Sequence, residues 1–160
     1  MAPWSIMPTS WNAMRIGAVK FLGLRETGNL MKSDSPRLDI RLAETPRDLR
    51  AAQRLRYEVF VTELGADGPM VDHVNRLERD AFDPFYDHMI LVDPMIDPVT
   101  ERHVVGVYRL MTEARAVAAG GFYSESEYDL TRLKDSGRRL LELGRSCVAS
   151  DLREIGRAHV

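Results

Sequence analysis

Two aspartates in an acidic stretch are well suited to hold a cation. Residues 63–101 contain ten Asp or Glu and two Arg, and Asp80 and Asp83 lie three residues apart within that stretch. Carboxylates bind ammonium groups through charge-assisted hydrogen bonds, so the pair predicts a site for an amine. Aspartate also caps loops and stabilises turns, and this structural role stays open for both residues.

Glu142 lies in a stretch that resembles a buried strand, and it is the candidate general base. Burying a carboxylate costs free energy unless the group is paired or gives up its charge. Taking a proton from an amine, directly or through water, is one reason to place a carboxylate there. The alternative is a structural ion pair with Arg145 or Arg109.

Three arginines share the problem of charge in apolar surroundings. Arg56 lies beside the apolar stripe of a predicted helix, and Arg109 and Arg145 lie on predicted strands. Arginine is rarely buried without a partner. We therefore expect each to meet a carboxylate of the protein, such as the aspartates of the acidic stretch, or an anionic group of a ligand, such as the carboxylate of a substrate.

The remaining nucleophiles and metal ligands indicate less chemistry. Cys147 is the one cysteine, which excludes an internal disulfide. A lone cysteine in an apolar strand is more often a small core residue than an acylated nucleophile. His73, His88 and His103 lack the spacing of metal ligands, so we expect no metal site.

Alternating strands and helices must position these residues. Asp39–Leu42 alternates polar and apolar residues, as a short strand does. Thr45, Pro46 and Asp48 are typical of a helix start, with a capping hydroxyl, a proline at the first position and a carboxylate for free N–H groups. Apolar residues at helical spacing predict that this helix continues to about residue 64, and the glycines that follow predict its end.

The rest of the chain predicts a long loop, a hairpin and a last strand. We expect an irregular connection at 65–86, an antiparallel hairpin at 88–92 and 104–111, a loop or short helix at 114–122, a helix at 126–133 and a strand at 139–148. In the last strand the two-residue period puts Arg145 and Cys147 on one face and Glu142 and Gly144 on the other. Gly144 predicts a bulge or a close backbone approach.

Composition limits the class of protein. The chain has 160 residues, 44% hydrophobic and 29% charged, with a formal net charge of −2, which is typical of one globular domain. The chain has no broad excess of basic residues, so nucleic acid is not a favoured partner. No apolar run reaches the ~20 residues that a membrane span needs. We expect 1–38 to be a disordered or non-native tail and 39–153 to be the folded part. We expect residues 154–160 to be a non-native tail, because the sequence of 155–160 matches the translation of a widely used sequencing adapter.

Five blocks in a fixed order resemble one family. They are 56–60 (Arg-Tyr-Glu-Val-Phe), 80–83 (Asp-Ala-Phe-Asp) with His88 downstream, 105–110 (Val-Gly-Val-Tyr-Arg-Leu), 121–123 (Gly-Phe-Tyr) and 142–148 (Glu-Leu-Gly-Arg-Ser-Cys-Val). Across residues 39–153 they resemble the ornithine–acyl-carrier-protein N-acyltransferases, which have the acetyltransferase (GNAT) fold and are related to the autoinducer synthases. The last block is the most specific of the five.

The resemblance implies a GNAT-like α/β fold with a mixed, mostly antiparallel sheet flanked by helices. It also implies a fold incomplete at the C-terminus, since 150–153 (Ser-Asp-Leu-Arg) replaces the family's Tyr-Arg-Gly-Gly-like turn into the donor-binding helix. The implied reaction moves a 3-hydroxyacyl chain from acyl carrier protein to the α-amine of ornithine, the first step of ornithine-lipid biosynthesis. Acyl carrier protein is then co-substrate and partner, an amino acid is the acceptor, and no cofactor is needed. The implied location is the cytoplasm, with peripheral contact at the inner face of the membrane.

In that reaction Glu142 would be the catalytic residue. The residues that would bind substrate are Arg56, Asp80, Asp83, Arg109 and Arg145. Two other functions stay open. An autoinducer synthase would acylate S-adenosylmethionine, and an inactive fragment would bind acyl carrier protein or a membrane without turnover.

Overall fold

The computed structural model describes residues 37–155, and the side chains as far as Arg153. The predicted tails, 1–38 and 154–160, lie almost entirely outside the described residues. The strands are, in chain order, β1 (Asp39–Leu42), β2 (Val71–Asp72), β3 (Leu77–Glu78), β4 (Asp87–Val92), β5 (Val104–Thr112) and β6 (Leu141–Val148). The helices are α1 (Pro46–Arg56), α2 (Glu113–Ala119), α3 (Thr131–Lys134) and α4 (Ser150–Ile155).

The main sheet has four antiparallel strands in the order β1-β4-β5-β6, and β2 and β3 form a separate small hairpin. The predicted hairpin of β4 and β5 is confirmed. One face of the sheet packs against α1, with Ala52 and Leu55 of the helix against Ile90 and Val107 of the strands. Among the described helices, none is long and apolar enough to span a lipid bilayer.

The start of α1 is as predicted. The Thr45 hydroxyl accepts a hydrogen bond from the Asp48 backbone N–H at 3.1 Å, and the Asp48 carboxylate accepts one from the Thr45 N–H at 3.1 Å. This reciprocal capping satisfies donors that have no partner within the helix. Beyond Arg56 the helix continues as a wider π-helical segment, Tyr57–Glu63, which completes the predicted length.

Two predicted segments are wrong in the structure. The helix expected at 126–133 is reduced to α3, because the Asp129 carboxylate accepts hydrogen bonds from the N–H and hydroxyl of Thr131 and starts the helix there. The connection 65–86 is less irregular than expected. It contains the β2–β3 hairpin and a short 3₁₀ turn, Asp83–Phe85. These elements have two or three residues each, which is too short for a hydrophobic periodicity to appear in the sequence.

The bulge predicted at Gly144 is confirmed, and it overturns the predicted faces of β6. Between the pairs Val107↔Cys147 and Arg109↔Gly144, β5 advances two residues while β6 advances three. Because the extra residue reverses the alternation of side chains, Glu142 and Cys147 face the same side of the sheet. Arg145, next to the bulge, has a left-handed backbone with φ of 52°.

Candidate functional site

Three arginines and three carboxylates meet beside the sheet, and we refer to these six residues as the charged cluster. Its members are Arg56, Arg109, Arg145, Glu78, Asp80 and Asp83. Their side chains are at most 10% exposed. The equal numbers of positive and negative groups make the cluster neutral, as expected for charges removed from water.

Asp83 has a donor at every lone pair of its carboxylate. Arg56 donates to both oxygens, at 2.8 and 2.9 Å, and Arg109 donates to Oδ1 at 2.6 Å. The Gln53 amide donates to Oδ2 at 2.9 Å. Burial raises the pKa of Asp83, but the hydrogen bonds and charges of Arg56 and Arg109 outweigh it and hold that pKa well below its usual range.

Asp80 lies between two arginines of the cluster, Arg109 and Arg145. Arg109 contacts both oxygens of Asp80, at 2.8 and 2.9 Å, and the Phe82 backbone N–H donates to Oδ1 at 3.0 Å. Arg145 Nη2 lies 3.9 Å from Asp80 Oδ2, beyond hydrogen-bond distance. Among the hydrogen bonds of the described residues, Asp80 Oδ2 accepts one, from Arg109, and Oδ1 accepts two.

Glu78 holds two of the arginines, and sequence reasoning missed it. Its Oε2 lies 2.5 Å from Arg56 Nε, and its Oε1 accepts a hydrogen bond from Arg145 Nε at 3.0 Å. Burial lowers the pKa of Arg145, but the charge of Glu78 outweighs it and raises that pKa above the usual value. Glu78 lies in a stretch that predicted only a loop.

Glu142 is held by neutral groups. Its Oε2 accepts hydrogen bonds from the Tyr86 hydroxyl at 2.5 Å and from the Tyr123 backbone N–H at 3.0 Å. Its Oε1 accepts one from the Ser124 N–H at 2.8 Å and a short one from the Ser124 hydroxyl. These four donors occupy the four lone-pair positions of the carboxylate. They correspond to the structural role that the sequence left open, although the partners are not the arginines named there.

Two tyrosines join Glu142 to the charged cluster, and the sequence did not single them out. The Tyr86 ring lies 4.2 Å from the Arg109 guanidinium carbon, and the Tyr123 ring lies 5.3 Å from that of Arg145. Burial, together with the hydrogen bond to Glu142, raises the pKa of Tyr86 far above its usual value. Tyr86 therefore keeps its proton, and its hydroxyl donates a hydrogen bond to Glu142.

Cys147 and His88 are buried next to these groups. Burial raises the pKa of the Cys147 thiol to about 12, so it is a poor nucleophile near neutral pH. Burial also lowers the pKa of His88, whose Nε2 lies 3.2 Å from the Asp83 carbonyl oxygen. Within residues 37–155, no group of three or more His, Cys, Asp or Glu side chains is arranged to hold a metal ion.

Known proteins resemble this chain in sequence and fold. The L-ornithine N(alpha)-acyltransferase of Rhodobacter capsulatus is 56% identical over 115 residues, covering 72% of this chain and 44% of that protein. The enzyme of the same name from Brucella abortus is 43% identical over 118 residues, covering 72% of this chain and 42% of its own length. The chain thus spans less than half the length of these curated relatives.

The fold of this chain is similar to that of a solved structure. FeeM, an N-acyl amino acid synthase from uncultured soil microbes, superposes with a TM-score of 0.52 at 18% identity, over 74% of this chain and 55% of that chain. The acetyltransferase (GNAT) domain family matches residues 55–159, a range that contains the whole charged cluster and Glu142. With its antiparallel sheet and flanking helices, the chain belongs to the acetyltransferase (GNAT) domain family.

Proposed function

We propose that the protein carrying this sequence is an N-acyltransferase that moves a 3-hydroxyacyl chain from acyl carrier protein to the α-amine of ornithine. One observation carries the proposal, namely the 56% identity to an L-ornithine N(alpha)-acyltransferase over 115 residues. The proposed product is a precursor of ornithine lipids. The acyl donor is the one co-substrate that the reaction needs.

The reaction requires an uncharged amine beside a thioester. The amine nitrogen attacks the thioester carbonyl carbon, a C–N bond forms, the C–S bond breaks, and the carrier leaves as a thiolate. The attacking nitrogen gives up a proton, which the thiolate or solvent takes. Groups that orient the amine and balance its developing positive charge lower the barrier.

We propose that Asp80 and Arg145 contact the acceptor. Asp80 Oδ2 has room for one donor of an ammonium group, and Arg145, next to the bulge, can hold a carboxylate. Asp83, Arg56 and Arg109 satisfy one another. Their geometry favours pairing among the protein's own charged groups, which the sequence left open. We therefore propose that they hold Asp80 in position and do not contact the acceptor.

An acylation assay with the complete protein tests the function. Purified protein is mixed with 3-hydroxyacyl carrier protein and ornithine, and mass spectrometry follows the product. We expect N-acyl-ornithine, with lysine and S-adenosylmethionine as poorer acceptors. A lactone formed from S-adenosylmethionine would indicate an autoinducer synthase instead, and no product with any amino acid would contradict the proposal.

A pair of aspartate variants tests the acceptor contact. Losing a charge-assisted hydrogen bond costs about 1.5–3 kcal/mol, so Asp80→Asn should raise the KM for ornithine ~10-fold or more. Asp67→Asn is the matched control, because the side chain of Asp67 is 76% exposed and lies outside the charged cluster. Equal KM values for the two variants would remove Asp80 from the proposed acceptor contact.

We further propose that the protein works at the inner face of the membrane. The product would be an amphiphile with one acyl chain, which partitions to lipid surfaces. Sedimentation with anionic vesicles in the presence and absence of product measures this association. Protein that stays in the supernatant under both conditions would contradict it.

A further inference from the structure

We propose that Glu142 is a positioning residue that acts through Tyr123, and that the Tyr123 ring forms one wall of the acceptor site. This inference rests on the proposed function. It assigns to the turn at residues 121–126 a role in selecting the acceptor. The contacts of Glu142, the course of the turn and the place of the ring carry the argument.

The contacts of Glu142 leave no lone pair directed at a substrate. Both oxygens already accept two hydrogen bonds each, from Tyr86, Tyr123 and Ser124. A proton taken from an amine would therefore have to displace one of these donors. Three of the four bonds come from the turn, so the carboxylate is better arranged to hold the turn than to accept a proton.

The turn follows a reversal of the chain, and two carboxylates bind its backbone N–H groups. α2 ends at Gly120 and Gly121, whose φ values of 88° and 139° suit glycine and reverse the chain. Residues Tyr123–Ser126 then form a single 3₁₀ turn. The Glu125 carboxylate accepts a hydrogen bond from the Phe122 N–H at 2.9 Å, and Glu142 binds the next two N–H groups.

Anchored in this way, the Tyr123 ring lies beside Arg145 of the charged cluster. It meets Phe82 edge-on, with 5.6 Å between the ring centroids, and it lies 5.3 Å from the Arg145 guanidinium carbon. The backbone N–H of Phe82 in turn binds Asp80. The Tyr123 ring thus contacts Arg145 directly and is connected to Asp80 through Phe82, and an aromatic face itself attracts a cation.

A double-mutant cycle tests the link between Glu142 and Tyr123. The complete protein is compared with Glu142→Gln, Tyr123→Leu and the double variant, with Tyr128→Leu as a control because Tyr128 is 63% exposed. Each single change should lower kcat/KM for ornithine ~10-fold or more and leave the KM for acyl carrier protein unchanged. The kcat/KM of the double variant should be little lower than that of the more impaired single variant, because both changes remove the same wall.

Additive losses in the cycle would overturn the proposal, since a base and an independent wall would each contribute separately. Should Glu142→Gln fail to fold, Ser124→Ala takes its place, because it removes a donor of the turn and keeps the carboxylate. Amide hydrogen exchange supplies a readout that does not require turnover. We expect Glu142→Gln to accelerate exchange at the Tyr123 and Ser124 N–H groups ~10-fold or more, and unchanged rates would overturn the anchor.

The hydrogen-exchange measurement also distinguishes a failure of the proposed function from a failure of this inference. Wild-type protein that acylates no amino acid refutes the proposed function, whereas the exchange rates still decide whether Glu142 holds the turn. Normal acylation together with additive losses refutes the proposed link between Glu142 and Tyr123 and leaves the proposed function intact.

Discussion

Asp83 and Glu142 are both carboxylates with every lone pair occupied, but they differ in what occupies them. Asp83 accepts from two guanidinium groups and one amide. Glu142 accepts from two hydroxyl groups and two backbone N–H groups. Charged donors cancel the charge of Asp83, whereas neutral donors leave the charge of Glu142 in place while fixing its position.

The difference separates stability from function. Asp83 is 5% exposed, and losing a partner there would leave an uncompensated charge away from water. Glu142 is only part-buried, so a lost donor can be replaced by water at smaller cost. We therefore expect changes around Asp83 to act on the free energy of unfolding, and changes around Glu142 to act on acyl transfer.

The largest expected effect is on the stability of the charged cluster. Arg56→Met removes a fully buried guanidinium and leaves Asp83 and Glu78 short of a counter-charge. Breaking a buried ion pair in this way costs about 3–5 kcal/mol. Urea unfolding monitored by circular dichroism measures the loss.

Arg76→Met provides the matched control. Arg76 pairs with Glu58 at 2.9 Å, but its side chain is 52% exposed, and such pairs contribute less than about 1 kcal/mol. Equal losses for Arg56→Met and Arg76→Met would show that the cluster does not stabilise the fold.

The second prediction concerns the acid limb of stability. Because the folded pKa of Asp83 lies below its unfolded value of about 3.9, its stabilisation is present above that value and is lost as the pH falls toward the folded pKa. Asp83→Asn should cost about 3 kcal/mol at pH 7. The gap between wild type and variant should begin to shrink below about pH 4.

Urea unfolding from pH 7 to pH 2 measures that gap. A gap that stays constant over this range, or widens toward low pH, would contradict the assignment of a charged, paired Asp83.

The smallest effect is expected at the junction of the two regions. Tyr86→Phe keeps the ring beside Arg109 and removes the hydroxyl that donates to Glu142. Since one hydrogen bond contributes about 1 kcal/mol net, we expect a loss of that size in unfolding free energy. Thermal or urea unfolding checks it, and a loss as large as that of Arg56→Met would place Tyr86 among the stability-determining groups.

Local patterns in the sequence sufficed to predict much of the fold. The capping residues Thr45 and Asp48, the hairpin of β4 and β5, and the glycine that signals the bulge are all readable from neighbouring residue types. The sequence also identified the need to pair Arg56, Arg109 and Arg145, because charge in a sheet must be compensated whatever the topology.

The aspartates of the acidic stretch were among the expected partners of the arginines, and Asp83 and Asp80 do pair with them. Two other partners could not be predicted, because they are distant in the chain. Glu78 reaches Arg145 across 67 positions, and Tyr86 reaches Glu142 across 56. The bulge was predicted, but its effect on the two faces of β6 was not. One added residue reverses the alternation, and only the register against β5 shows where that occurs.

The dependence of kcat/KM for ornithine on pH, compared between the complete wild-type protein and Glu142→Gln, tests the role of Glu142 most directly. If Glu142 positions the turn, both profiles rise with pH in the same way as the amine loses its proton, and the variant lies lower by a constant factor. If Glu142 is the base, the variant loses the acid limb that this carboxyl contributes, and the assignment of Glu142 as a positioning residue is contradicted.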